Sequence, residues 1–207
     1  MEEIATIAIA ACWGTVGVVW IAGAIHNLRV SSQGAQPIRG RRSPSSVATT
    51  LGALVAAALV VAVGDPLARG LVVSAEWARM VGLAVLLAST LLAIWARRVL
   101  GTSWTVAPAI SGDQRLRTSG PYAITRHPIY TGLVGMLLGS ALLAGGGQWL
   151  AVAAMGVVVA VAKARLEEPL LDRQFPEAYA RYRRSVPMLV PGLRLVPGLR
   201  LGRIRRA

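Results

Sequence analysis

Residues 129–162, IYTGLVGMLLGSALLAGGGQWLAVAAMGVVVAVA, hold two apolar runs and no charged side chain. Only Gly145-Gly146-Gly147 separates the runs, and glycine gives the chain the backbone freedom for a sharp reversal. The two runs are therefore expected to fold as a tight antiparallel helical hairpin. An uncharged hairpin suits lipid, where every backbone polar group must be bonded within its own segment. A re-entrant hairpin that enters and leaves on one side is the alternative, and it would leave an even number of crossings.

Three more apolar runs lie upstream, at residues 4–25, 47–63 and 77–95. With 129–144 and 148–162 they make five. The first and third approach the ~20 residues that cross ~30 Å of hydrocarbon. The shorter ones need snorkelling side chains or local thinning of the bilayer. Composition agrees: 55% of the 207 residues are hydrophobic and 15% charged, and the mean hydropathy is +0.57. A soluble domain rarely carries so much apolar surface, because its exterior must be wetted.

The formal charge of +13 invites a nucleic-acid reading, since basic patches neutralise phosphates. Its distribution points elsewhere. Arg29, Arg39, Arg41 and Arg42 follow the first run, and Arg97, Arg98, Arg115, Arg117 and Arg126 follow the third. Everything beyond the fifth run is basic too. The loop before the third run sets Arg69 against Asp65 and Glu76, and the glycine turn is uncharged. This alternation is the positive-inside pattern, and it places the N-terminus outside and the C-terminus in the cytoplasm. Trp77, Trp95 and Trp149 stand at run ends, where an amphipathic ring prefers the headgroup region; Trp13 and Trp20 lie within the first run and read as packing or lipid contacts. The start of the chain, with Glu2 and Glu3 and a long apolar run, reads as a retained helix rather than a cleaved signal.

The expected fold is an all-α integral membrane protein with about five transmembrane helices and a C-terminal cytoplasmic amphipathic helix. It divides into an N-terminal three-helix part, 1–97, and a part bearing the chemistry, 98–207. Across 163–184, Leu171, Phe175, Tyr179 and Tyr182 recur at helical spacing, and Pro169 and Pro176 are expected to divide or kink that helix. The tail repeats Val-Pro-Gly-Leu-Arg-Leu at 190–195 and 196–201, which reads as a basic segment drawn to anionic lipid.

Polar, motif-bearing residues gather in two places on the expected cytoplasmic side. One is 114–132, QRLRTSGPYAITRHPIYTG; the other is 163–168, KARLEE. Gly120-Pro121 reads as a turn. Pro128 suits the first position of a helix, which sets His127 at the helix N-terminus, where free N–H groups and the dipole favour an anion. With the permanent charge of Arg126, the pair can hold a carboxylate. A purely structural pair, an interface arginine beside a helix cap, is the other reading. Glu167 and Glu168 break the basic trend at the membrane exit. They suit ribose hydroxyls, an ammonium group or a base's role, or else simple pairing with Arg165 or loop arginines. Lys163, the only lysine among 22 basic residues, snorkels or shares a helical face with Glu167.

Absences narrow the chemistry. Cys12 is the only cysteine, so neither an intramolecular disulfide nor a cysteine metal site can form. His26 and His127 are far apart in sequence, and no metal site is expected. No Walker loop and no G-x-G-x-x-G after a strand appears.

Taken together, Gly120-Pro121-Tyr122, Arg126-His127-Pro128-Ile129-Tyr130-Thr131-Gly132, Glu167-Glu168, Phe175-Pro176-Glu177-Ala178-Tyr179-Ala180-Arg181-Tyr182 and Val186-Pro187 resemble the isoprenylcysteine carboxyl methyltransferase family and its phospholipid methyltransferase relatives. The resemblance covers 114–191 and implies an S-adenosylmethionine-dependent methyltransferase acting on a membrane-soluble lipid or isoprenoid acceptor. Carried over by position, it implies cofactor contacts at Gln114, Arg115, Leu116, Arg117, Tyr122, Arg126, His127, Pro128, Ile129, Tyr130 and Glu167. Glu168 is the implied base, if the acceptor needs one. Lys163 falls where the isoprenylcysteine enzymes carry arginine, and a lysine does not grip a carboxylate bidentately, which counts against a prenylcysteine carboxylate. Two rivals stay open: an NADPH-dependent membrane sterol-type reductase, which shares an Arg-His-Pro-x-Tyr segment, and a non-catalytic lipid-binding membrane protein. The Arg- and Ala-rich composition points to a bacterial plasma membrane, with the site facing the cytoplasm.

Overall fold

A computed structural model of the chain describes residues 2–31, 73, 75–101 and 116–192. Among them every regular element is helical: α1 (Glu2–Ser31), α2 (Glu76–Leu100), a 3-10 turn (Gly120–Ala123), α3 (Pro128–Leu143), α4 (Gln148–Gln174) and α5 (Pro176–Ser185). The expected run at 47–63 lies outside the described residues, as do Gln114, Arg115 and most of the repeated tail. Three described helices, α1, α2 and α4, are long and apolar enough to cross a membrane, and α3 is a shorter apolar helix. At ~1.5 Å per residue α3 spans only about 24 Å, less than the hydrocarbon core.

Among the described elements, the α2–α3 pair makes the most extensive contact. Buried positions recur along α2 at Ala78, Gly82, Leu86, Thr90, Ala93 and Arg97, and along α3 at Pro128, Gly132, Met136, Gly139 and Leu143. Steps of three and four residues keep each set on one helical face. Small residues on both faces let the backbones meet, which is how membrane helices gain dispersion contact without a hydrophobic driving force. The approach is closest at Gly139, where a Cβ would lie 2.6 Å from the Leu86 backbone nitrogen, and at Gly82, where it would lie 2.8 Å from that of Leu143.

α1 completes the core. Ala5, Cys12 and Val16 are buried against Leu86, Met136 and Leu143, flanked by Trp13 and Trp20. The Trp13 indole donates to Ser140 Oγ at 3.1 Å, joining α1 to α3. Outward-facing Trp77, Trp95 and Trp149 are exposed near helix ends, consistent with interfacial placement.

The hairpin reversal occurs at the three glycines, with φ of +85°, +83° and +60° at Gly145, Gly146 and Gly147. Those left-handed conformations disfavour a Cβ, so the turn needs glycine. Val73 N–H donates to Gly145 O at 2.8 Å and ties the approach to α2 onto the turn.

α4 runs past its apolar stretch, 148–162, and carries its polar end, 163–174, beyond it. Pro169 does not end the helix; the break falls at Phe175, and Pro176 opens α5. Pro176 disfavours helical φ/ψ at the residue before it. Pro169 exerts the same bias, yet α4 continues through it, and Glu167 and Glu168 just before it are held to α3 and the loop before α3.

Candidate functional site

The site forms where the α3 N-terminus, the polar end of α4 and the chain around α5 meet. Pro128 occupies the first turn of α3, and His127 precedes it with φ −124° and ψ 62°; its imidazole makes no capping bond. The side chain is therefore free to turn toward α4. His127 Nδ1 lies 3.7 Å from Glu167 Oε2, and Nε2 lies 3.6 Å from Glu168 Oε1. Tyr130, one turn on, stacks with His127 at 5.8 Å between centroids and donates its hydroxyl to Glu167 Oε1.

Arg126 is the joint of the assembly. Its Nε and Nη2 donate to the same carboxylate oxygen, Glu168 Oε1, at 2.9 and 2.6 Å. Its Nη1 donates to Val186 O at 2.7 Å and Arg183 O at 3.2 Å. The backbone joins in: Arg126 N–H bonds Pro187 O at 2.8 Å and His127 N–H bonds Met188 O at 3.1 Å. Thr131 Oγ1 reaches Leu189 O at 2.7 Å. Residues 186–189 thus form a strap across the Arg-His-Pro segment. A further clasp comes from α5, where Tyr182 donates its hydroxyl to Tyr122 O at 2.6 Å.

Arg126 is the permanent counter-charge to Glu168 within this cluster. Burial resists ionisation of Glu168, but His127 and Arg126 outweigh it and hold the carboxyl at about 2, well below its ordinary 4.5. The His127 contact at 3.6 Å is an ion-pair distance rather than a hydrogen bond, so Arg126 is the firmer partner. Burial pushes the Tyr182 hydroxyl up and keeps it a donor. Glu167 differs: its side chain is 37% exposed, against 16% for Glu168. It faces the solvent side of the cluster.

Arg126, His127, Pro128, Tyr130, Glu167 and Glu168, which the sequence singled out, thus come together. Tyr122 is buried beside them under α5; Ile129 is half-buried in the first turn of α3, Leu116 is half-buried and Arg117 exposed on the approach to the 3-10 turn, and Lys163 is half-buried one turn before Glu167. Arg126 was expected to offer its charge outward; here it has an internal counter-ion. Of the pairings open to the glutamates, Arg165 or a loop arginine, Glu168 takes the loop arginine, Arg126. Tyr179 and the strap were not anticipated as site components. The signal lies in the Tyr179-x-x-Tyr182 spacing and in the motif of the resemblance that contains both tyrosines, neither of which says what the side chains touch. No group of three metal-ligating side chains occurs among the described residues.

Residues 77–178, from α2 to the first turn of α5, match the phospholipid methyltransferase family profile. A structure of a eukaryotic intramembrane Ras methyltransferase, isoprenylcysteine carboxyl methyltransferase, shares the fold with a TM-score of 0.53 and 20% identity, over 90% of this chain and 68% of that one. A search of curated protein sequences gave no match. Over that stretch, about half of the chain, the sequence resembles the phospholipid methyltransferases, and the shared fold agrees with that resemblance.

Proposed function

We propose that the protein is an S-adenosylmethionine-dependent methyltransferase that transfers a methyl group in line to a lipid or isoprenoid acceptor at the cytoplasmic face. In this reading five helices cross the membrane, with the N-terminus outside and the C-terminus inside. The observation that carries the reading is the convergence of His127, Tyr130, Glu167 and Glu168 at the polar end of an apolar bundle, in a chain that resembles the phospholipid methyltransferases.

The residues fit such a cofactor. His127 Nε2 is buried without a hydrogen-bond partner among the described residues, so the cluster is left to be completed when a polar ligand arrives. Glu167, half-exposed and oriented by Tyr130, presents a carboxylate to an ammonium or a ribose hydroxyl. In this reading Leu116, Arg117, Tyr122, Pro128 and Ile129 complete its walls, with Gln114 and Arg115 ahead of them. When bound, S-adenosylmethionine supplies an electrophilic methyl on a sulfonium that is also the leaving group.

The protein's own part is alignment. Holding two reactants in a near-attack geometry lowers a barrier by ~7–11 kcal/mol. The strap and α5 fix the Arg-His-Pro segment and exclude water from its inner side. Glu168, ionised and bound to Arg126, takes a proton poorly; its work is to position Arg126, and the acceptor that suits the site is already ionised, a carboxylate or thiolate. Lys163 lies on the acceptor side and offers a single positive charge to such a group. A lipid-tailed acceptor enters sideways between helices.

Calorimetric titration of S-adenosylmethionine into detergent-purified protein tests this, beside Glu167→Gln, His127→Ala and an NADPH control. Saturable binding weakened by either substitution, followed by labelled-methyl transfer to a lipid extract, is the expected result. Folded wild-type protein that binds no S-adenosylmethionine would overturn it.

A further inference from the structure

Arg126 holds Glu168 in an incomplete way. Both Nε and Nη2 converge on Oε1, and among the described residues no hydrogen bond reaches Oε2. A guanidinium edge is satisfied best by a carboxylate that uses both oxygens in parallel bonds. The opposite nitrogen, Nη1, is fixed on the Val186 and Arg183 carbonyls, so the Nε/Nη2 edge stays in place whatever it binds. An incoming carboxylate can therefore compete for that edge with a better geometry than Glu168 now has.

Displacing Glu168 would strand a largely buried carboxylate unless other donors received it. Two stand beside it. His127 is 7% exposed, and its Nε2, 3.6 Å from Glu168 Oε1, has no hydrogen-bond partner among the described residues. Tyr179, on α5, is fully buried, and its hydroxyl likewise has none. That hydroxyl lies close to both Glu168 and Arg126, near enough for loose polar contact with each, yet it makes no bond of full hydrogen-bond geometry with any described group. A buried donor left unbonded costs free energy, so two beside one carboxylate call for a state in which they are used.

We propose that Tyr179 is a positioning residue: when Arg126 gives its Nε/Nη2 edge to a ligand carboxylate, Tyr179 and His127 take over Glu168. The exchange breaks two Arg126–Glu168 bonds and forms two to the ligand, with Glu168 rebonded to the Tyr179 hydroxyl and His127 Nε2; no proton leaves the cluster. It rests on the cofactor reading above, with the amino-acid carboxylate of S-adenosylmethionine as the ligand group. Tyr179 thereby makes binding selective for a cofactor that carries this carboxylate.

The probes are S-adenosylmethionine and its decarboxylated form, which keeps the sulfonium and ammonium and lacks only the carboxylate. Tyr179→Phe should weaken binding of the first about tenfold, the scale of a hydrogen bond to a charged group, and of the second less than twofold. Melting of the ligand-free variant should stay near the wild-type temperature, because the hydroxyl it loses makes no bond of full hydrogen-bond geometry in that state and the ring is kept. Added to Glu168→Gln, Tyr179→Phe should cost little more, since both act on one contact. Equal losses for both probes, no loss for the first, or a large fall in ligand-free melting would overturn the proposal while leaving the cofactor reading intact. Folded wild-type protein that binds neither probe would overturn both.

Discussion

Arg126 and Glu168 are 42 residues apart, and the ion pair between them, at 2.6 Å, fastens the loop before α3 to the polar end of α4. Both side chains are largely buried, at 10% and 16% exposure. Their roles are not symmetric, because Arg126 also holds the Val186 and Arg183 carbonyls. Arg126→Ala should therefore destabilise the protein more than Glu168→Gln, by about 1–2 kcal/mol, roughly the worth of one or two hydrogen bonds. Thermal unfolding of the two variants in one detergent measures the difference; equal losses would mean that the strap contacts contribute nothing.

The same pair sets an acid limit. Glu168 titrates at about 2 in the folded protein against an ordinary 4.5. Its contribution is thus complete above pH 4.5 and is lost as pH falls through the interval toward 2, because the unfolded chain takes up the proton first. Wild-type stability should be flat with respect to this group from pH 7 to 5 and fall below it. Glu168→Gln should be less stable at pH 7 and lack that part of the acid slope. Parallel pH profiles for the two proteins would remove Glu168 as the responsible group.

Close backbone approach between α2 and α3 gives a test remote from the site. At Gly139 an added methyl would meet the Leu86 backbone nitrogen at 2.6 Å and the Gly82 carbonyl oxygen at 2.8 Å, and backbone atoms cannot swing aside. Gly139→Ala should cost about 1–3 kcal/mol through overpacking. At Gly17, on α1, nothing lies within 4 Å of the same position, so Gly17→Ala should be neutral or slightly stabilising through helix propensity. Unfolding in detergent compares them directly, and equal melting temperatures would contradict the α2–α3 packing described.

The helices and the site were legible in the sequence to different degrees. Apolar runs at 77–95, 129–144 and 148–162 are short-range patterns, and each forms a helix in its expected place. The glycine turn was equally plain, because three consecutive glycines leave few other uses. His127 at the head of α3 followed from Pro128, a local rule. Pro169 stays inside α4 and the division falls at Phe175 and Pro176, while Glu167 and Glu168 just before Pro169 bond Tyr130 and Arg126, some 40 residues earlier. The strap showed in the sequence only as Val186-Pro187 at the end of the motif set, with no sign of what it bonds. Its contribution is made by main-chain carbonyls of 186–189, and carbonyls have no residue identity to read.

Thr131 offers a second side-chain probe of the strap, beside Arg126. Its hydroxyl bonds Leu189 O at 2.7 Å and lies 3.3 Å from the Thr125 hydroxyl, which is itself buried. Thr131→Val keeps the shape and removes the donor, leaving a carbonyl and a hydroxyl short of a partner. About 1–3 kcal/mol of stability should be lost. Because the strap bonds the His127 and Arg126 amides, its loosening should also weaken S-adenosylmethionine binding, whereas Thr131→Ser should restore both properties. Melting and calorimetric titration of the two variants make the comparison. A Thr131→Val protein that melts lower yet binds the cofactor as tightly as wild type would show that the strap supports the fold without setting the site.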